Sequence, residues 1–80
     1  MERLSGSEKV VGLKQVRRAV TEGRVNLVFL ACDADPRLTE SLEELCNEHG
    51  AATVWDYTMA QLGKACGIAV GTAAAAVAVK

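Results

Sequence analysis

The sequence predicts an α/β sandwich with helices on both faces of a small sheet. Three observations carry that expectation, of which the first two are that strand-like apolar runs alternate with segments of helical period and that a glycine follows each helical segment. The third is size. Eighty residues, 50% of them hydrophobic, suffice for one thin core in a single domain spanning 1–80 and are too apolar for intrinsic disorder. No internal repeat and no linker divides the chain.

From Gly12 to Glu22 the apolar residues Leu13, Val16, Ala19 and Val20 follow helical spacing, and Lys14, Gln15, Arg17 and Arg18 take the opposite side. Gly23 stops this helix. The run VNLVFLA at 25–31 is β-branched, aromatic and apolar nearly throughout, which suits a strand covered on both faces. Asp35 and Pro36 then punctuate the start of a helix from Arg37 to His49, with Leu38, Leu42 and Leu45 on one face and Gly50 as its stop. AATVWDY at 51–57 reads as a short strand. Thr58 can cap a helix over Met59–Cys66, ended by Gly67. GIAVG at 67–71 reads as a loop. TAAAAVAVK at 72–80 reads as a final strand, despite the helix preference of alanine, because small residues let helices pack closely on a central sheet.

Charge is unevenly placed. Residues 1–26 hold six basic and three acidic side chains, whereas 27–58 hold one basic and seven acidic, in a chain of net charge −1. Such a division suggests one surface for an anionic partner and another kept acidic and solvated. The polar start, Met1 to Lys9, has no apolar stretch behind it, so no signal peptide is expected. The apolar run AAAAVAV is too short to span a bilayer. Cys32, Cys46 and Cys66 follow no metal-ligand or redox spacing and read as reduced thiols of a cytoplasmic protein.

Several residues invite a chemical reading. Asp33 and Asp35 follow a strand, where α/β sheets place functional groups, but no later lysine completes an acidic metal pocket, and turn formation with capping of the next helix is the expected role. Cys66 lacks a cationic or histidine neighbour to activate it, and His49 ends a different helix. Gly63, Gly67 and Gly71 match no phosphate-loop pattern. The group Lys14, Gln15, Arg17 and Arg18 differs. It opens a helix directly after Gly12, so backbone N–H groups and long polar side chains project together, an arrangement suited to phosphates and base edges.

The strings GLKQVRRAVTEG, LACDADP and LGKACGIAVG, in this order and spacing, resemble the kink-turn-binding large-subunit ribosomal protein family, in its small bacterial branch. The resemblance covers roughly residues 9–79. It implies a three-layer α-β-α sandwich with a small mixed central sheet. It also implies a non-catalytic protein, without cofactor or metal, that binds RNA bent at a bulge followed by tandem sheared G·A pairs. In the family's archaeal pattern, G-x-N-E-x-x-K, Gly12 matches the glycine, Lys14 stands at the asparagine, Gln15 at the glutamate and Arg18 at the lysine. Leu13 and Arg17, in the same helix start, are expected to bind RNA with them. Ile68, Ala69 and Val70 pack against splayed bases, Ala69 standing where relatives often carry an acidic side chain, and Lys64 meets a phosphate. The implied partners are kink-turn RNA, in ribosomal RNA or a riboswitch, and the ribosome, with no DNA and no membrane. The implied location is cytoplasmic and ribosome-associated. The alternative is a protein–protein adaptor on the ribosome or a ribonucleoprotein that uses the acidic helix 37–49.

Overall fold

The computed structural model describes residues 9–78. The expectation for the segment before Lys9, and the last two residues of the expected final strand, Val79 and Lys80, lie outside them. The elements run β1 (Lys9–Val11), α1 (Leu13–Thr21), β2 (Leu27–Ala31), α2 (Pro36–Glu48), β3 (Ala52–Tyr57), α3 (Met59–Ala65) and β4 (Ala74–Val77). Strand β1 was not anticipated. It is three residues long and becomes a strand by pairing antiparallel with β4, Lys9 opposite Val77 and Val11 opposite Ala75.

The sheet order is β1-β4-β2-β3, with β2 and β3 parallel and β4 antiparallel to both of its neighbours, so the sheet is mixed. Its two faces are covered separately. Val16, Ala19 and Val20 of α1 and Leu42 and Cys46 of α2 pack on Val28, Leu30, Ala74 and Ala76. On the other face, Leu62 and Cys66 pack on Phe29, Ala31 and Ala75. This is the three-layer α-β-α sandwich, two helices on one side and α3 on the other. The central strand β4 is built of small residues because both layers press on it: Ala74, Ala75 and Ala76 are fully buried.

A bulge interrupts the β2–β3 ladder. Phe29 pairs with Val54 but Ala31 with Tyr57, so β3 spends one extra residue there. Simple alternation would turn Val54 and Tyr57 to opposite faces. The extra residue instead sets both against α3, while Trp55 joins the α2 side and donates Nε1–H to Glu43 Oε2 at 3.1 Å.

Strand direction decides where the helices begin. β1, β2 and β3 all run the same way, and α1, α2 and α3 each start within a few residues of the end of one of them. The connection from α3 must return to that same end to enter β4. All three helix N-termini and the end of the 66–73 segment therefore share one rim of the sheet. The helix C-termini are closed by a common device: glycines at φ +72° to +77° (Gly23, Gly50, Gly67) let their own N–H and that of the following residue reach back, as where Gly67 N donates to Lys64 O at 3.1 Å and Ile68 N to Gly63 O at 3.0 Å.

Candidate nucleic-acid interface

Gly12 sets the start of α1. Its φ of 97° and ψ of 150° belong to a region open essentially only to glycine, and its N–H donates to Ala74 O at 3.0 Å. The other two helices on the rim are closed by side chains. Asp35 Oδ1 accepts from Arg37 N at 3.0 Å, and Thr58 and Gln61 form a reciprocal capping box on α3. Among the described residues no side chain caps α1. Its first N–H groups therefore face outward without a side-chain acceptor, at the positive end of the helix dipole.

Around this open start Leu13 is half-buried and anchors the first turn, while Lys14, Gln15, Arg17 and Arg18 are exposed. Gln15 folds back over the glycine: a methyl group on Gly12 would lie 3.0 Å from Gln15 Oε1. The wheel separation of Lys14 and Arg18, about 40°, leaves both on one exposed stripe. Arg17 turns the other way and donates to Ser41 Oγ of α2 at 2.7 Å. Arg17 is thus set apart from the residues grouped with it in sequence. Arg18 Nε lies 3.4 Å from Glu22 Oε2, and Arg24 Nε lies 2.7 Å from Glu22 Oε1. The Arg24 hydrogen bond, assisted by Arg18, holds the exposed Glu22 carboxyl below its ordinary range.

The segment after α3 forms the second part. Ile68, Ala69 and Val70 are exposed, and Val70 keeps 71% of its surface in solvent. Their backbone is nonetheless held firmly. Gly63 lies against Val70 O and Gly71, Gly71 lies against Met59, and Thr72 N donates to Met59 O at 3.1 Å. The buried Thr72 hydroxyl donates to Ala74 O at 3.0 Å. That one carbonyl thereby accepts from both Gly12 and Thr72, tying the start of α1 to the end of the exposed loop. Lys64 is exposed in the last turn of α3, three residues before Gly67. Sequence reasoning missed Thr72, whose role depends on a contact with a carbonyl that itself serves a distant glycine.

The acidic helix stands to one side. α1 packs against β1 and β4, whereas α2 packs against β2 and β3, so the stripe of Gln15, Arg18 and Glu22 faces the β1 edge and Glu43 the β3 side. The two aspartates of the DAD turn serve as caps. Asp35 caps α2 and is held in its ionised form by the Arg37 guanidinium. Asp33 caps a different helix from the one expected, its Oδ1 accepting from Met59 N at 2.8 Å. Among the described residues no three of His, Cys, Asp and Glu are gathered to hold a metal ion. No helix of the described residues is long and apolar enough to cross a membrane. Burial pushes the Cys46 and Cys66 thiols up, and only Cys32 is exposed. A thiol-reactive disulfide reagent is therefore expected to titrate one cysteine rapidly in the folded protein and all three in denaturant. Rapid reaction of two or more under folding conditions would contradict the packing of α2 and α3.

Fold and site together define a small three-layer α-β-α domain that presents an open helix start beside an exposed apolar loop. The model of the Ribosomal protein L7Ae/L30e/S12e/Gadd45 family matches residues 4–80, and the chain belongs to that family. It is 42% identical over 69 residues to an RNA-binding protein of Caldanaerobacter subterraneus subsp. tengcongensis, covering 86% of this chain and 84% of that one. It is 40% identical over 67 residues to large ribosomal subunit protein eL8 of Halobacterium salinarum, covering 82% of this chain and 56% of the archaeal one. Among solved structures it is similar to the Giardia lamblia 15.5kD RNA binding protein, with a TM-score of 0.88 and 28% identity, covering 99% of this chain and 67% of that one.

Proposed function

We propose that this chain binds kink-turn RNA through the rim formed by the start of α1 and the 67–71 loop, and that it acts as a ribosome-associated binding protein and not as an enzyme. The observation that carries the reading is the uncapped α1 start, its exposed Lys14, Gln15 and Arg18, and its tie through Ala74 O to the loop bearing Ile68 and Val70. Membership of the family and the names of the relatives support RNA as the class of partner.

The physical argument concerns what A-form RNA hides. Its major groove is too narrow for side chains to read, so a protein needs a distorted or unpaired site. A kink opens the groove beside the sheared G·A pairs and splays out bulged bases. Outward N–H groups with Lys14 and Arg18 suit phosphates or guanine edges, and Gln15 both donates and accepts. The exposed apolar side chains of Ile68 and Val70 suit base faces. Binding then shifts the RNA from extended to kinked conformers, because only the kinked form offers both contacts at once.

Titration against a kink-turn duplex, and against the same duplex with its sheared G·A pairs replaced by Watson–Crick pairs, tests this. Preference for the first, with shortening of the end-to-end distance seen by energy transfer, is expected. Equal weak binding to both sinks the reading and brings forward the adaptor alternative, in which the exposed glutamates of α2 dock a protein. Lys14→Ala or Arg18→Ala should weaken kink-turn binding by about 1–3 kcal/mol if the residue contacts a base, or flatten the salt dependence by about one if it contacts a phosphate. Unchanged affinity and slope in both variants would remove the α1 start from the interface. Association with the ribosome is tested by co-sedimentation with the large subunit.

A further inference from the structure

A groove of about 510 Å³ runs between α1 and the edge strand β1, walled by Lys9, Gln15, Arg18, Glu22 and Arg24. Among the described residues, one side of β1 has no strand paired to it there. The guanidinium groups of Arg18 and Arg24 and the Glu22 carboxylate stand together there, within a chain of net charge −1. The groove is continuous with the α1 start, because Gln15 and Arg18 belong to both. Lys9 lines the groove from β1, but its side chain lies on the α3-covered face of the sheet: its Nζ is 3.9 Å from the point a side-chain carbon on Gly67 would occupy.

We propose that this groove is a phosphate-binding track for the RNA stem beside the kink, with Arg18 and Arg24 contacting the backbone and Glu22 acting as an internal stand-in for phosphate. The proposal rests on the reading of the chain as a kink-turn binder. In the free protein Glu22 accepts from Arg24 Nε at 2.7 Å and sits 3.4 Å from Arg18 Nε, so one carboxylate occupies the position between two arginines that a phosphodiester would take. All three side chains are well exposed, and exposed ion pairs of this kind hold weakly. Displacing the carboxylate is therefore a small cost, yet the carboxylate must leave, or turn aside, whenever phosphate enters. Glu22 consequently moderates affinity for any polyanion and leaves discrimination of the kink to the α1 start and the loop. Phosphate contacts position a protein on a duplex and carry no sequence information.

The test titrates the unmodified chain, Glu22→Gln and Arg24→Gln, each verified as folded by circular dichroism, against the kink-turn duplex and its Watson–Crick control from about 50 to 200 mM salt. Glu22→Gln is expected to bind both RNAs several-fold more tightly, with a steeper salt dependence. Arg24→Gln is expected to bind both more weakly, with the slope of log affinity against log salt reduced by about one. In every variant the ratio of the two affinities stays that of the unmodified chain. Unchanged or weaker binding by Glu22→Gln, an unchanged slope for Arg24→Gln, or a change in the ratio would each overturn the proposal. Equal binding of the unmodified chain to the two RNAs would instead overturn the kink-turn reading. With that result, shifted slopes in the variants would still uphold the groove as a phosphate track, and unshifted slopes would overturn it too.

Discussion

Replacing Leu30 by alanine is expected to lower the free energy of unfolding by about 2–5 kcal/mol. Leu30 lies in β2, flanked by β4 and β3, and is fully buried among Val16, Val20 and Leu42. Both helices of one layer meet the sheet at this side chain, so the void left by truncation is walled by two helices and a strand and cannot easily close. A domain of this length has in total roughly 4–12 kcal/mol of stability, at about 0.05–0.15 kcal/mol per residue. The substitution therefore consumes a large share of it. Urea unfolding should show a lower midpoint with an unchanged slope. A loss below about 1 kcal/mol, well under the range for buried leucines, would mean that α1 and α2 do not close over the sheet as described.

Gly63→Ala sets two effects against each other. In the interior of an exposed helix the change should stabilise by about 1 kcal/mol, since glycine is a poor helix former. Gly63 is buried, however, and its missing methyl group would lie only 2.2 Å from Val70 O and 3.0 Å from Gly71 Cα. Both obstructions are backbone, so no rotamer change relieves them. Overpacking of this kind costs about 1–3 kcal/mol and should outweigh the helical gain. The expected net result is lower stability together with a displaced 68–71 segment. Because that segment carries Ile68, Ala69 and Val70, kink-turn affinity should fall further than stability alone explains, at temperatures where the variant remains folded. A variant that is more stable and binds normally would show that α3 and the loop do not touch here.

The fold was legible where periodicity and punctuation agreed. α1 and α2 each display an apolar stripe at helical spacing and end two residues before a glycine, so both were placed to within a residue or two. β2 announced itself by Val28, Phe29 and Leu30. β1 was invisible because Lys9–Val11 is three residues long and owes its form to β4, some 65 residues away in sequence. The alanine run of β4 pointed toward a helix by propensity and became a strand because two helical layers leave room there only for methyl groups. The bulge in β3 has no local signature, since it arises from how Tyr57 must meet the α3 layer. Of the site, the α1 cluster was legible from its charge, and the GIAVG loop from its glycines and the family resemblance. The diversion of Arg17 to Ser41, the cap that Asp33 gives to α3, and the tie of Thr72 to Ala74 O are contacts between residues distant in sequence or between side chain and backbone. No spacing rule reports them.

The claim on which the account depends is that RNA meets one rim, where the start of α1 and the 67–71 loop are joined through Ala74 O. Backbone amide shifts of isotope-labelled protein, followed by NMR as a kink-turn duplex is added, measure this most directly. The account predicts large shifts at Gly12–Arg18 and Gly67–Thr72, with Glu40, Glu44 and Glu48 unmoved. Shifts concentrated along α2, with Lys14, Gln15 and Val70 unaffected, would contradict it.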